Sequence, residues 1–155
     1  MLIRDAAATD AAAMTALLNA IIALGGTTAH EQAKTVAAVQ DDYIDGPDTI
    51  CCFVAEDAGR IIGFQALGWW QGAAHIGTFV APDVQARGTG AALFAATRAA
   101  ARARGVVEIE AAIRADNVPG LAYYARIGFV DIRVEPDFAL QDGRVVGRIH
   151  RVYPL

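Results

Sequence analysis

The sequence predicts a mixed α/β fold (α+β), in which a mostly antiparallel sheet carries helices on both faces. Its 155 residues are the size of one domain, and we expect a single domain over 1–155. Some segments have apolar residues at helical spacing, whereas others are apolar runs bounded by turn residues. Their order describes an antiparallel meander, one β-α-β crossover and a final hairpin.

The first elements are a short strand at 2–4 and two helices. The first helix is capped by Thr9 or Asp10 and ends at 25–26. Its predicted apolar stripe is Met14, Leu17, Leu18 and Ile21. Thr28 and Glu31 have the spacing of a capping box, which predicts a second helix from there to 46–47. Its predicted inward residues are Val36, Val39 and Tyr43.

The remaining elements alternate between strands and helices. We expect strands at 49–56, 60–69, 75–80, 106–113, 129–135 and 145–153, and helices at 88–104 and 117–126. The inward residues of the helix at 88–104 are predicted to be Leu93, Phe94, Thr97 and Ala101.

The composition argues against several classes of function and partner. Thirteen Lys and Arg against 17 Asp and Glu give a net charge of −4, which argues against a nucleic-acid partner. No apolar stretch is long enough to cross a bilayer, and residues 1–5 lack the order of a secretory signal, so we expect a cytoplasmic protein with no membrane contact. The adjacent Cys51 and Cys52 are expected to be free thiols, because a bridge between strand neighbours is strained.

The most informative segment joins the strand at 75–80 to the following helix and reads QARGTG at 85–90. Its two glycines and the helix start can present backbone N–H groups to an anion such as a pyrophosphate. A plain glycine-rich loop is one alternative. A dinucleotide-binding fingerprint would need Gly or Ala where Leu93 stands, and a phosphate loop of nucleotide hydrolases would need a lysine that this segment lacks.

Two segments together carry a family resemblance. QARGTG at 85–90 resembles the acetyl-CoA loop of the GNAT superfamily of N-acetyltransferases. NVPGLAYYARIGF at 117–129 resembles the second motif of that family, and the element order agrees over the whole chain. The resemblance implies a GNAT fold whose sheet splays between the fourth and fifth strands, with acetyl-CoA as co-substrate and no metal.

The resemblance also implies which residues hold acetyl-CoA. The main chain of Phe79 and Val80 would bind the pantetheine arm, with the Val80 N–H near the thioester oxygen. Asn117 would contact the same arm, although it also suits a plain helix cap. The loop residues implied to bind the pyrophosphate are Gln85, Ala86, Arg87, Gly88, Thr89 and Gly90.

Tyr124 and His75 are the candidate catalytic residues. Tyr124 matches the family tyrosine that protonates the departing thiolate, and a phenol suits that task because it stays protonated at neutral pH; a core aromatic is the alternative. Many members of that family carry a glutamate on the fourth strand that acts as the general base, but residues 75–80 include no carboxylate. His75 is the candidate base, and Glu31 or water are the alternatives.

The acceptor is expected to be a small-molecule amine. Residues 3–6, Asn19 and residues 27–31 resemble the phosphinothricin and methionine-sulfoximine acetyltransferase branch, which implies an amino acid or an analogue as acceptor and a homodimer. Glu31 and Trp69 are the candidate acceptor-binding residues; Trp69 and its neighbour Trp70 face opposite ways on a strand.

Two other functions remain open at this point. A non-catalytic acyl-CoA sensor would keep the acetyl-CoA loop but lack the general base. A protein N-acetyltransferase would need a peptide-sized groove between the first helices and the last two strands.

Overall fold

The computed structural model describes residues 1–28, 30–84 and 87–155. Seven strands within these ranges form one sheet: β1 (Leu2–Asp5), β2 (Thr49–Asp57), β3 (Arg60–Trp70), β4 (Ala73–Val80), β5 (Glu108–Arg114), β6 (Val130–Glu135) and β7 (Arg148–Pro154). The α-helices are α1 (Ala11–Leu24), α2 (Val36–Val39), α3 (Thr89–Ala103) and α4 (Val118–Arg126). A π-helical turn over Gln40–Asp45 continues α2, and 3-10 turns lie at Ala8–Asp10 and Pro82–Val84.

The sheet has the order β1-β2-β3-β4-β5-β7-β6. Its neighbours are antiparallel except β4 and β5, which are parallel and share a register only at His75 and Glu110. The crossover through α3 joins these two strands, as parallel pairing requires. The predicted mixed sheet, splayed between its fourth and fifth strands and with helices on both faces, is confirmed.

The two faces of the sheet are packed by different helices. The face under α1 and α2, called the α1 face below, packs Met14, Leu18, Ile21 and Val39 against Cys52, Val54, Phe64, Ala66 and Phe79. The opposite face, called the α3 face, packs Phe94 and Ala101 of α3 and Tyr124 of α4 against Ile109, Ala111 and Ile113 of β5. The predicted stripe of α3 is confirmed, because Leu93, Phe94, Thr97 and Ala101 are all buried.

The second helix begins later than the sequence predicts. No helix starts at the predicted capping box, because the Thr28 hydroxyl accepts from the His30 N–H in a local turn. The Asn19 side chain then holds both backbone groups of Lys34, which keeps this segment extended. The cap is Thr35, whose hydroxyl accepts from the Ala38 N–H. Val36, predicted to face inward, is exposed.

The last strand is also shorter than predicted. Val145 forms an isolated bridge with Ala139, and β7 begins only at Arg148. The Leu140 N–H donates to the Arg144 carbonyl, and the Val146 N–H to the Phe138 carbonyl. These bonds fold the connection between β6 and β7 on itself.

Cys51 and Cys52 are free and buried, as predicted. Cys51 belongs to the core of the α3 face and Cys52 to that of the α1 face, because neighbours on a strand point to opposite sides. In the described ranges, none of the helices combines the length and apolar character needed to traverse a bilayer.

Candidate active site

The candidate site is built around the opening between β4 and β5. Both strands run in the same direction from the single register pair His75–Glu110 and diverge toward their carboxyl ends. One edge of β4 is fully paired with β3, from Ala73 to Val80. Its other edge, which carries Phe79 and Val80 at the carboxyl end, borders the opening. An extended ligand can therefore lie along this edge, as an added strand would.

The loop after β4 leads directly into the amino end of α3. Gly88 has a left-handed φ of 79° and is the cap residue of α3, a conformation that glycine adopts without strain. The Ala92 N–H makes the first intrahelical bond, to the Gly88 carbonyl, so the preceding amides of the first turn point out of the helix end. Arg87 is exposed beside them. Gln85 and Ala86, the predicted start of this loop, lie outside the described residues.

Thr89 and Gly90 complete the helix start. Thr89 is 2% exposed, and its Oγ1 is buried without a hydrogen-bond partner in the described part of the chain. A Cβ on Gly90 would lie 2.7 Å from the Tyr123 ring, so glycine is needed for this close approach. Outward amides, the positive end of the helix dipole and an unpartnered hydroxyl fit an anionic diphosphate group.

Tyr124 projects from α4 to β4 on the α3 face. Its hydroxyl lies 2.8 Å from the Thr78 Oγ1, and the side chain is 8% exposed. Burial raises the pKa of the phenol well above its usual range. The phenol is therefore protonated at neutral pH and can act as a proton donor next to the edge of β4.

A buried polar network holds this tyrosine. The fully buried Gln65 of β3 donates from its Nε2 to the Thr78 Oγ1 (2.9 Å) and to the Tyr123 hydroxyl (3.1 Å). The Tyr123 hydroxyl in turn donates to the Gly90 carbonyl at 2.8 Å. The network thus connects β3, β4, α4 and the amino end of α3. It orients Tyr124 and ties it to the candidate cofactor loop.

Sequence reasoning missed Gln65 and Thr78. The one available signal was the isolated glutamine in the apolar run of β3, because a polar residue in a buried strand needs a partner. No local pattern shows that the partner is a tyrosine 58 positions later.

His75 lies on the α1 face, opposite to Tyr124. Side chains of a strand alternate, and His75 is an odd number of residues from Thr78, which contacts Tyr124. The His75 Nε2 lies 3.4 Å from the Glu110 Oε2 of β5. Burial lowers the pKa of His75, and the Glu110 charge partly offsets that effect. Glu110, which sequence reasoning did not select, is thus the carboxylate partner of the candidate base.

Trp70, not Trp69, lies beside His75. The two rings are edge to face with centroids 4.9 Å apart. Trp69 pairs with Ala74, which belongs to the core of the α3 face, so its side chain is on the other side of the sheet from His75. Trp70 is therefore the tryptophan on the same face as His75, and Trp69 lies on the α3 face.

Asn117 both caps α4 and ties down the connection between α1 and α2. Its Oδ1 accepts from the Gly120 N–H at 3.0 Å, and its Nδ2 donates to the Thr27 carbonyl at 2.9 Å. The buried Arg114 of β5 donates to the neighbouring Thr28 carbonyl at 3.1 Å. These bonds hold the α1–α2 connection over the carboxyl end of β5.

The same connection reaches the loop between β6 and β7. The Glu31 Oε1 accepts from the Gln141 N–H at 2.8 Å, and the Gln32 Nε2 donates to the Gln141 Oε1 at 3.1 Å. Glu31 is therefore engaged in a loop contact, not in a capping box. We call this pair of hydrogen bonds the 31–141 bridge; it spans the space between the first helices and the last two strands.

Known proteins are similar to this chain in sequence. A family model described as the acetyltransferase (GNAT) family matches residues 14–129. Mycothiol acetyltransferase of Clavibacter michiganensis subsp. michiganensis is 38% identical over 112 residues, which cover 70% of this chain and 37% of that protein. The chain thus matches little more than a third of the length of this relative.

Solved structures agree in fold. The yncA protein of Salmonella typhimurium was solved with its cofactor acetyl-CoA. It has a TM-score of 0.85 at 21% identity, and the match covers 100% of this chain and 94% of that chain. A ribosomal-protein-alanine N-acetyltransferase from Brucella melitensis has a TM-score of 0.84 at 22% identity, with both chains fully covered. A candidate phosphinothricin N-acetyltransferase has a TM-score of 0.85 at 21% identity, with 99% of this chain and 98% of that chain covered.

The mycothiol, ribosomal-protein-alanine and phosphinothricin proteins are named for different acceptors, and the solved structures share the fold of this chain. With a family model that spans most of its length, this chain belongs to the acetyltransferase (GNAT) family.

Proposed function

We propose that this chain transfers the acetyl group of acetyl-CoA to the primary amine of a small molecule, such as an amino acid or an analogue. The observation that carries the proposal is the opening between β4 and β5, with the glycine-led start of α3 at its end and the buried Tyr124 phenol at its side. The edge of β4 suits the pantetheine arm, and the amides around Gly88 suit the pyrophosphate.

The catalytic groups lie on opposite faces of the sheet, and the opening gives both faces access to one reaction centre. His75, oriented by Glu110, removes the proton from the acceptor ammonium, directly or through a water. The free amine forms a C–N bond with the acetyl carbonyl carbon, the C–S bond breaks, and the nitrogen loses its remaining surplus proton to water, which later reprotonates Tyr124. Tyr124 donates its phenolic proton to the departing sulfur, so coenzyme A leaves as the thiol. The Val80 N–H stabilises the charge that develops on the carbonyl oxygen.

The 31–141 bridge favours a small acceptor over a protein. A peptide bound between the first helices and the last two strands would have to pass through the space that this bridge crosses. Thr27 and Thr28 are held over β5 on the same side, by Asn117 and Arg114. We also propose that the chain belongs to the phosphinothricin-like branch, forms a homodimer and is located in the cytoplasm. The branch and the homodimer rest on the sequence resemblance, whereas the location rests on composition and on the free thiols of Cys51 and Cys52, which fit a reducing compartment.

A first prediction concerns cofactor binding. Gly88→Trp should reduce acetyl-CoA affinity by at least about tenfold in isothermal titration, because the indole would cover the outward amides and strain the left-handed backbone. Gly105→Trp is the matched control, since Gly105 lies at the other end of α3 with a φ of 77° and open space around it. Equal affinity in both variants would contradict the cofactor site.

A second prediction concerns the acceptor class. Coenzyme A release, followed with a panel of amino acids, small amines and lysine-containing peptides, should be at least about tenfold faster with the best small amine than with the best peptide. The 31–141 bridge is the physical reason. Preference for peptides would favour a protein acetyltransferase, and binding of acetyl-CoA without turnover of any amine would favour a sensor.

A third prediction concerns the proton donor. Tyr124→Phe should lower kcat by about 10²-fold, the usual effect of losing a general acid, while the dissociation constant of acetyl-CoA changes little. Tyr153→Phe is the control, because Tyr153 belongs to the same core and its hydroxyl contacts Arg98 instead of β4. A kcat equal to that of the unmodified enzyme would remove Tyr124 from the mechanism.

A fourth prediction concerns pH. Because burial lowers the pKa of His75, the acidic limb of kcat/KM should lie below the ordinary histidine value of about 6.5. Glu110 raises this pKa, so Glu110→Gln should move the limb to still lower pH. His75→Gln should abolish the limb and lower the maximum. A profile that neither substitution alters would leave Glu31 or water as the proton acceptor.

A further inference from the structure

A charged surface lies next to His75 on the α1 face of β5, β7 and β6. Ile109, Ala111 and Ile113 pack toward α3 and α4, so the alternate residues of β5, including Glu110, point to the α1 face. Antiparallel register places His150 of β7 opposite Ala112. The same rule places Arg148 opposite Arg114, and Arg133 of β6 opposite His150. All these side chains share one face with His75.

The carboxylates of this surface already have partners. Glu110 faces His75, and Glu135 is hydrogen-bonded to the Nε2 of His150. Asp116 forms a two-pronged ion pair with Arg114. The histidine ring thus donates to Glu135 and accepts from Arg133 through its Nδ1, at 3.3 Å. In the described part of the chain each of these carboxylates is thus hydrogen-bonded or ion-paired, and Glu135 also lies opposite Arg148 in the register of β6 and β7.

Two arginines of the same surface have no carboxylate partner. Within residues 1–28, 30–84 and 87–155, no carboxylate oxygen lies within 4.0 Å of the guanidinium nitrogens of Arg133 or Arg148. The guanidinium carbon of Arg148 lies 3.6 Å from the centroid of the Phe138 ring, which fixes the plane of the group. Its Nε is buried without a hydrogen-bond partner in those ranges. Because that nitrogen is enclosed by the protein, an incoming acceptor group would meet the terminal Nη groups of the guanidinium.

We propose that Arg148, assisted by Arg133, binds the carboxylate of the acceptor, so that the acceptor is an amine that also carries a carboxylate. The two terminal Nη groups of a guanidinium match the two oxygens of a carboxylate, and the stack on Phe138 holds the guanidinium in place before the ligand arrives. This inference rests on the proposed function and specifies its substrate class.

The position beside His75 gives the carboxylate a directing role. The charges of Arg133 and Arg148 lie near enough to His75 to lower its pKa. With its carboxylate on the arginines, an amino acid can turn its amine toward His75 and the opening between β4 and β5. An amine without a carboxylate lacks this anchor and leaves the two cations unpaired.

The test compares an amino acid with its carboxamide, using the best amino acid from an acceptor screen. The unmodified enzyme should have at least about tenfold higher kcat/KM for the acid, mainly through KM, because a charge-assisted pair is lost in the amide. The amine of the amide is less basic than that of the acid, so a larger fraction of it is unprotonated at neutral pH. This difference favours the amide and therefore opposes the expected ratio. Equal kcat/KM for acid and amide would overturn the inference while acetylation of both would uphold the proposed function.

Variants locate the contact. Arg148→Gln should lower kcat/KM for the acid about 10- to 100-fold, leave that for the amide nearly unchanged and keep the affinity for acetyl-CoA. Arg144→Gln is the matched control, because Arg144 is an exposed arginine of the neighbouring loop that pairs with Asp142. If Arg148→Gln does not fold, Arg133→Gln should show the same selective loss, since Arg133 is exposed. If the folded variants keep the preference for the acid, the assignment of the arginines is wrong. If the unmodified enzyme acetylates neither compound, the proposed function itself is wrong.

Discussion

The arrangement of this site depends on one interrupted interaction, the pairing between β4 and β5. Parallel strands that stay in register leave no room for a ligand, but these two meet only at His75 and Glu110. Beyond that pair they diverge toward their carboxyl ends. The opening exposes an edge of β4 next to a helix start, so backbone groups alone create much of the binding surface.

The side chains around the opening are divided between the two faces. On the α3 face, Gln65 and Thr78 hold the phenol of Tyr124 in a buried network, where its proton is retained. On the α1 face, His75 is paired with Glu110 and keeps an imidazole of low basicity. In the proposed mechanism the sheet thus separates the proton donor from the proton acceptor, and the opening is the place at which thioester and amine meet.

We propose that the loops over the α1 face limit the size and charge of the acceptor. Arg114 and Asn117 hold the α1–α2 connection, and the 31–141 bridge joins it to the β6–β7 loop. Under these loops Arg133 and Arg148, which form no ion pair in the described ranges, can offer guanidinium donors to an anion although the net charge of the chain is −4. Anion binding here depends on the local donor arrangement and not on the field of the whole protein.

The sequence by itself determined the elements, the apolar stripes of α1 and α3, and the glycine loop that leads into α3. These depend on periodicity and on backbone requirements that act over a few residues. It also singled out Tyr124, which the resemblance places in a short motif, and His75, which stands on a strand that lacks the glutamate of many relatives.

Only the tertiary structure decided which residues surround them. The Glu110 partner of His75, the contact of Gln65 with Tyr123, and the choice of Trp70 over Trp69 depend on strand register between distant segments. The capping box predicted at Thr28 and Glu31 failed for the same reason. Asn19 and Gln141, far from these residues in the chain, provide competing hydrogen bonds that local spacing cannot reveal.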